Sequence, residues 1–236
     1  MKLLAIECST AWLSVCAHDG RALATRRERS GASASARILG FVEEVLAEAG
    51  WRLGELDGIA FGSGPGAFTG LRVACGTVQG LAVGAALPVV GIASLAAMAQ
   101  AASRIHGATR VVACLDARMR EVYFGAYRRS ADRRVDDWLT DVEPIVCPPG
   151  EVTPPRSGAS GWFGVGDGFT VDPGLAQRLA LVGVDASIVP DAIDVATLAE
   201  RSFAAGGGRP ARDAQPLYVR HRVALTEAER AAGARL

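Results

Sequence analysis

Lysine is all but missing from this chain: Lys2 is the only one, and arginine supplies the rest of the 25 basic residues, balanced by 25 acidic ones. Zero net charge removes the uniform basic field that drives non-specific nucleic-acid binding, while leaving room for a local basic patch. Histidine is scarce as well. His18, His106 and His221 stand far apart, with no H-x-x-x-H pair to set two imidazoles on one helical face for a metal. The five cysteines (Cys8, Cys16, Cys75, Cys114 and Cys147) form no C-x-x-C pair, which argues against zinc and fits reduced thiols inside apolar elements of a cytoplasmic protein. No serine occupies a nucleophile elbow, and Asp167, in Gly164-Val165-Gly166-Asp167-Gly168, reads as a turn residue as readily as a catalytic one. Met1-Lys2 leads straight into a strand-like run without a signal-peptide layout, so no secretory leader is expected. The longest apolar stretch, residues 73–98, is broken by Thr77, Gln79, Pro88 and glycines into two buried elements rather than one bilayer helix. A soluble cytoplasmic protein without membrane contact is expected.

What the chain does have is apolar content, 50% of its residues, enough for a sizeable core in one large domain or two smaller ones. Residues 2–8, 12–17 and 21–29 read as strands, the last two joined by Asp19-Gly20, a type I′ turn signal. Residues 35–49 switch to helical spacing, with Ile38, Phe41, Val42 and Val45 on one stripe and Gly50 as terminator. A buried strand over 57–62, a helix over 71–85, a strand over 88–92 and a helix begun by Ser94 as cap follow. After Gly107 the pattern restarts: strands over 110–116 and 121–128, then an irregular proline-rich insertion, a strand-like run over 162–169, a helix over 195–205 and an extended segment over 216–223. The repeat is of pattern rather than of letters, and it points to a duplicated α/β fold, divided into 1–106 and 107–236, with the last helix and tail free to pack back on the first unit.

Residues 62–70, Gly-Ser-Gly-Pro-Gly-Ala-Phe-Thr-Gly, form the most distinctive motif. Gly64, Pro65, Gly66 and Gly70 fix a tight loop, and Thr69 is placed to cap the following helix. Such a loop looks like a phosphate cradle. A Walker loop, however, needs a lysine before its last Ser or Thr, and none is available here. A rigid turn between a buried strand and a buried helix is the better reading.

Two other groupings stand out. Asp116, Arg118 and Glu121 crowd one strand-to-strand turn, either as a salt-bridged hairpin or as a ligand or partner contact. Gly76, Gly80 and Gly84 recur every four residues in the second helix, where each costs roughly 0.5–1 kcal/mol relative to alanine. A smooth glycine face admits another backbone at close range. With Ile38, Phe41, Val42, Val45, Val73 and Val78 it is expected to form a partner-docking surface, since the two N-terminal helices show more apolar area than one small sheet covers.

These motifs, Leu4-Ala5-Ile6-Glu7-Cys8-Ser9-Thr10, Gly64-Pro65-Gly66-Ala67-Phe68-Thr69-Gly70-Leu71-Arg72-Val73, Asp116-Ala117-Arg118-Met119 with Glu121-Val122-Tyr123, and Pro216-Leu217-Tyr218-Val219-Arg220, resemble those of the bacterial TsaB family, in the same order and over nearly the whole chain. The resemblance implies two tandem RNase-H-like halves of the actin-like ATPase superfamily, each a mixed five-stranded sheet flanked by helices. It implies a non-catalytic scaffold and activating subunit in synthesis of N6-threonylcarbamoyladenosine at tRNA position 37. The implied partners are the catalytic relative TsaD as heterodimer, TsaE, and functionally TsaC; a homodimer forms when the chain is alone, and tRNA is met only indirectly. TsaD holds its metal through histidines after the strand matching 88–92; this chain has Gly91-Ile92-Ala93-Ser94-Leu95-Ala96-Ala97-Met98 there, so no catalytic or metal residue is expected. No intrinsic cofactor is expected either, with ATP or ADP only at a complex interface. Glu7, Ala34 and Ala67 depart from the family's usual Asp, His and Ser; Glu7 weakens any nucleotide–metal site at the first strand. The Asp116–Arg118–Glu121 cluster is the candidate TsaE contact. The competing readings are a glycoprotease-like metallopeptidase acting on TsaD and a nucleotide-sensing module.

Overall fold

The computed structural model describes residues 1–131, 137–155, 157–158 and 160–220. His221, the end of the 216–223 segment and the tail after Thr226 lie outside the described residues.

Five strands make the first sheet. β1 (Leu3–Glu7), β2 (Trp12–His18) and β3 (Ala22–Arg29) run as an antiparallel meander, and β4 (Gly58–Gly64) and β5 (Val89–Ala93) add in parallel on the other side of β1. The order is β3-β2-β1-β4-β5. The second sheet repeats this plan. β6 (Arg110–Arg118), β7 (Glu121–Arg129) and β8 (Trp138–Cys147) form the meander, β9 (Phe163–Val165) and β10 (Gly183–Asp185) add in parallel, and the order is β10-β9-β6-β7-β8. These are the two mixed five-stranded sheets of the expected α/β fold.

Burial explains which runs became which strand. β1, Leu-Leu-Ala-Ile-Glu, is central and buried throughout, so its run is continuous rather than alternating. β3 lies at an edge and alternates: Arg27 and Arg29 are exposed, while Arg26 and Glu28, half-buried, pair with Glu44 and Arg37. The other edge strands, β8 and β10, carry no clear apolar alternation; β8 contains Asp141, Glu143 and Pro144, and residues 138–147 therefore read as irregular in the sequence. The β2–β3 turn differs from type I′. Only Gly20 has positive φ (98°), and its amide donates to His18 Nδ1 at 3.2 Å beside a register shift at Ala17/His18. The run 162–169 is strand only over β9, because Gly166 (φ 104°) turns the chain into a short helix, α4 (Gly168–Val171). In chain order the helices are α1 (Ala34–Ala49), α2 (Phe68–Ala85), α3 (Ser94–His106), α4, α5 (Leu175–Arg178) and α6 (Ala192–Ala204).

The layers follow from where these helices bury their stripes. α1 and α2 cover the outer face of the first sheet, where Ile38, Phe41, Val42, Val45 and Val78 pack with Leu4, Ile6, Leu13, Val15, Ile59 and Phe61. Each such side chain contributes roughly 1.5–3 kcal/mol when fully buried. α3 and α6 lie between the sheets: Ala97, Val195 and Ala199 meet Leu3, Ala5 and Val90, while Leu95 and Met98 meet Val111, Ala113 and Tyr127. α4 and α5 close the outer face of the second sheet around Trp162, Phe124 and Phe169. Residues 73–98 thus resolve into part of α2, β5 and the start of α3, and no helix of the described residues is long and apolar enough to cross a membrane.

The inner helices are joined by one charged pair. Arg104 Nε and Nη2 donate to Asp194 Oδ1 and Oδ2 at 3.0 and 2.7 Å, with Asp194 fully buried. Burial raises the Asp194 pKa, opposed by the guanidinium. Arg104→Ala is expected to cost about 3 kcal/mol in urea unfolding at neutral pH, the low end for stranding a buried charge because the arginine head is partly exposed. The difference from the parent should shrink on acidification, as the stranded carboxyl takes up a proton.

Candidate functional site

The glycine loop packs inward. It leaves β4 through a cis Gly64–Pro65 peptide and lies on the carboxyl end of β1, where the Ala67 amide donates to the Ser9 carbonyl at 2.7 Å. A methyl group added at Gly66 would run into the Ser9 carbonyl, and one at Gly70 into that of Cys8, so these glycines are demanded by backbone packed on backbone. From the other side, the Leu217 amide donates to the Ser63 carbonyl at 2.7 Å. The place where a phosphate cradle would open is occupied by the chain itself. Thr69 does not cap α2. The helix starts one residue before it, at Phe68, with Ala67 as N-cap and no side-chain cap bond, and Thr69 sits exposed in the first turn.

Glu7 is sealed beneath this loop, 1% exposed. Its side chain crosses the position a Cβ at Gly62 would take; Oε1 accepts from the Ser9 amide, and Oε2 accepts from Ser94 Oγ at 3.1 Å. Ser94 is therefore spent on Glu7 rather than on capping α3, whose N-cap is Ala93. Desolvation raises the Glu7 pKa, the bonds from Ser9 and Ser94 oppose it, and the Asp191 charge adds to the rise. Beyond Ser94, Leu95, Ala97 and Met98 are core residues, so the stretch after β5 is filled with packed apolar side chains.

Among the described residues no group of three or more His, Cys, Asp or Glu is placed to hold a metal ion. His18 is buried at the β2–β3 turn, and His106 pairs with Asp185 at 2.8 Å at the end of α3; the fold does not bring them together. Burial pushes the Cys8 and Cys16 thiols up to about 12, which makes them poor nucleophiles.

Asp116, Arg118 and Glu121 do come together. Arg118 donates through its amide and Nη1 to the Asp116 carboxylate at 2.7 and 2.8 Å, and Asp167 Oδ1 accepts from the Asp116 amide at 3.0 Å. Arg118, Met119 and Arg120 are all left-handed (φ 63°, 56° and 60°), a strained run for non-glycine residues. Arg220 holds it, through Nη2 on the Ala117 carbonyl at 2.8 Å and Nη1 on Glu121 at 2.7 Å. Arg220 lies on a strap, residues 209–220, that pairs with Val89 at Arg209, offers the Ala214 carbonyl to Gln79 Nε2 (3.1 Å) and Cys75 Sγ (3.4 Å), and crosses the glycine loop. Sequence reasoning quoted Arg220 only within a motif and did not mark the strap; the distance along the chain hides both.

The expected docking residues divide. Ile38, Phe41, Val42, Val45 and Val78 are 0–4% exposed, and Val73 is partly buried against the same core, so the sheet, not a partner, covers that stripe. Gly76, Gly80 and Gly84 point the other way. They are exposed, and no atom lies within 4 Å of where their side chains would begin. Val83 on the same face is 71% exposed, and Leu39 on α1 is exposed too.

Comparison with known proteins places the chain among relatives. A family model for TsaD, the tRNA N6-adenosine threonylcarbamoyltransferase, matches residues 28–200. The tRNA threonylcarbamoyladenosine biosynthesis protein TsaB of Escherichia coli (strain K12) is 37% identical over 226 residues, 95% of this chain and 96% of that protein. This chain belongs to the TsaB family. TsaB of Haemophilus influenzae is 36% identical over 233 residues, 94% of this chain and 95% of the relative. YeaZ from Pseudomonas aeruginosa superposes with a TM-score of 0.85 at 42% identity, covering 92% of this chain and 99% of that structure. In this TsaB-family chain the carboxyl edges of the sheets are thus filled from within, and the open surface is the glycine face of α2.

The Glu7 geometry gives a pH signature. A carboxyl whose folded pKa lies above its unfolded value of 4.5 favours folding at low pH, and that contribution is lost as pH rises through the folded value. Glu7→Gln removes the charge, keeps an oxygen to accept from the Ser9 amide, and presents an NH2 that donates to Ser94 Oγ once that hydroxyl turns. It should be more stable than the parent at neutral and alkaline pH, with the gain vanishing below pH 4.5, as read by thermal unfolding across pH.

Proposed function

We propose that this chain is the non-catalytic, activating subunit of the assembly that makes N6-threonylcarbamoyladenosine at tRNA position 37, docked on TsaD through the exposed face of α2. The open glycine face carries the reading. Three interior glycines at one-turn spacing are costly in a helix that packs only on its own sheet, and they become useful when a second helix lies against them. The names of the full-length relatives supply the pathway, and the match of a TsaD family model over residues 28–200 supports a partner of the same ancestry.

In this reading TsaE joins the TsaB–TsaD pair, with the Asp116–Arg118–Glu121 hairpin as its contact, and TsaC supplies the activated donor. Chemistry and tRNA handling fall to TsaD in the cytoplasm, and residues 1–106 and 107–236 act as two joined units. The chain alone pairs with itself through the same face, since an isologous patch satisfies itself. No intrinsic cofactor is assigned: the loop that would hold a nucleotide phosphate is occupied by Ser9 and Leu217, which leaves ATP or ADP to the subunit interface. A peptidase role finds no support in the chemistry of the described side chains.

Reconstitution of tRNA modification with TsaC, TsaD and TsaE held fixed should give product only when this chain is present; full product without it would refute the assignment. Gly80→Arg should abolish co-elution with TsaD at micromolar concentration while leaving the unfolding midpoint within a degree or two, because the site is open. Gly76→Ala and Gly84→Ala should each stabilise the isolated chain by about 0.5–1 kcal/mol while weakening the complex, a split visible by pairing urea unfolding with calorimetric titration of TsaD.

A further inference from the structure

The exposed stripe of α2 does not stop at its glycines. In four-residue steps, each turning about 40° around the helix, it winds back from Gly84 through Gly80 and Gly76 to Arg72 and Phe68, and its N-terminal end is aromatic. Phe68 is 50% exposed. The Arg72 guanidinium covers its ring at 3.9 Å, the ring of Tyr218 lies beside it at 5.7 Å between centroids, and Arg72 Nε donates to the Tyr218 hydroxyl at 3.1 Å. Tyr218 belongs to the strap, 45% exposed, and its neighbour Leu217 is exposed as well. The strap pins this cluster at both ends, through Leu217 on the glycine loop and Arg220 on the hairpin that displays Arg118, Met119 and Arg120.

A free surface has no use for two half-exposed rings clamped by a guanidinium, because ordering them costs side-chain entropy and buries little. An interface does. Tyrosine and arginine are the side chains that anchor interfaces, and a pre-ordered anchor loses less entropy on binding. The cluster adjoins the Gly76 end of the glycine face on a single helix, so an occupant that reaches Gly76 also meets Arg72 and Phe68. Its charge sets the chemistry of that occupant: Arg72 offers a carboxylate a two-pronged contact, with exposed Arg120 adding positive charge on the hairpin that the strap holds.

We propose that Phe68, Arg72 and Tyr218 form the anchoring end of the docking surface, receiving an apolar side chain and an adjacent carboxylate from a helix of the TsaD-class partner that lies along the glycine face. This rests on the docking reading above and adds that the C-terminal strap is part of the interface.

The test is calorimetric titration of full-length TsaD into the full chain and its variants, with thermal unfolding of each variant and tRNA affinity of each assembled pair. Phe68→Ala and Tyr218→Ala should each bind TsaD about 30-fold more weakly, as hot-spot truncations do, with the unfolding midpoint of the free chain held by the core beneath. Arg72→Lys should also weaken binding, since an ammonium cannot make the forked contact. Unchanged affinity for Phe68→Ala beside lost binding for Gly80→Arg would overturn the anchor and leave the docking face standing. Unchanged binding for Gly80→Arg as well would overturn both. Intact assembly with reduced tRNA affinity would assign the cluster to RNA and refute the proposal.

Discussion

The backbone of the loop after β4 rests directly on the carboxyl end of β1, and the position of α2 follows from that contact. Peptide groups approach this closely only where side chains are missing, so glycine recurs at the points of contact. The motif has the composition of an anion cradle and the opposite use. The loop amide at Ala67 is aimed at the Ser9 carbonyl, and the Ser63 carbonyl meets the strap. Once that seat is set, α2 starts at Phe68, turns its apolar stripe to the first sheet and leaves its glycines outward.

The second half reuses the device. Gly166 and Gly168 follow β9 and lie against Cys114, midway along β6, while Asp167 accepts the amide of Asp116. Charged side chains are spent on holding the molecule together: Glu7 under its loop, Asp194 on Arg104, Glu121 on Arg220.

Much of the fold was legible because the first strands and helices are strongly periodic. The stripe Ile38, Phe41, Val42 and Val45 announced α1, and the restart after Gly107 announced the second sheet. The destination of that stripe was not legible. Periodicity shows that a face is apolar; it does not show whether a sheet or a second protein covers it, and here the sheet does. β8 and β10 escaped notice because edge strands need only one buried face and tolerate charge and proline. Thr69 and Ser94 stood where caps are common, yet the first faces solvent and the second answers a buried carboxyl.

Amino-acid order alone determined the class of fold, the duplicated plan, the rigid glycine turn and the family to which the chain belongs, because each is written in local spacing or in an uninterrupted motif. Tertiary structure decided which glycines face a neighbouring backbone and which face solvent, that Glu7 is a sealed structural group, and that a strap carrying Arg220 binds both halves. Those outcomes depend on residues such as Tyr218 and Arg72, 146 positions apart in the chain and a hydrogen bond apart in space. No pattern of neighbours in sequence encodes such a contact; only the packing of the two sheets brings it about.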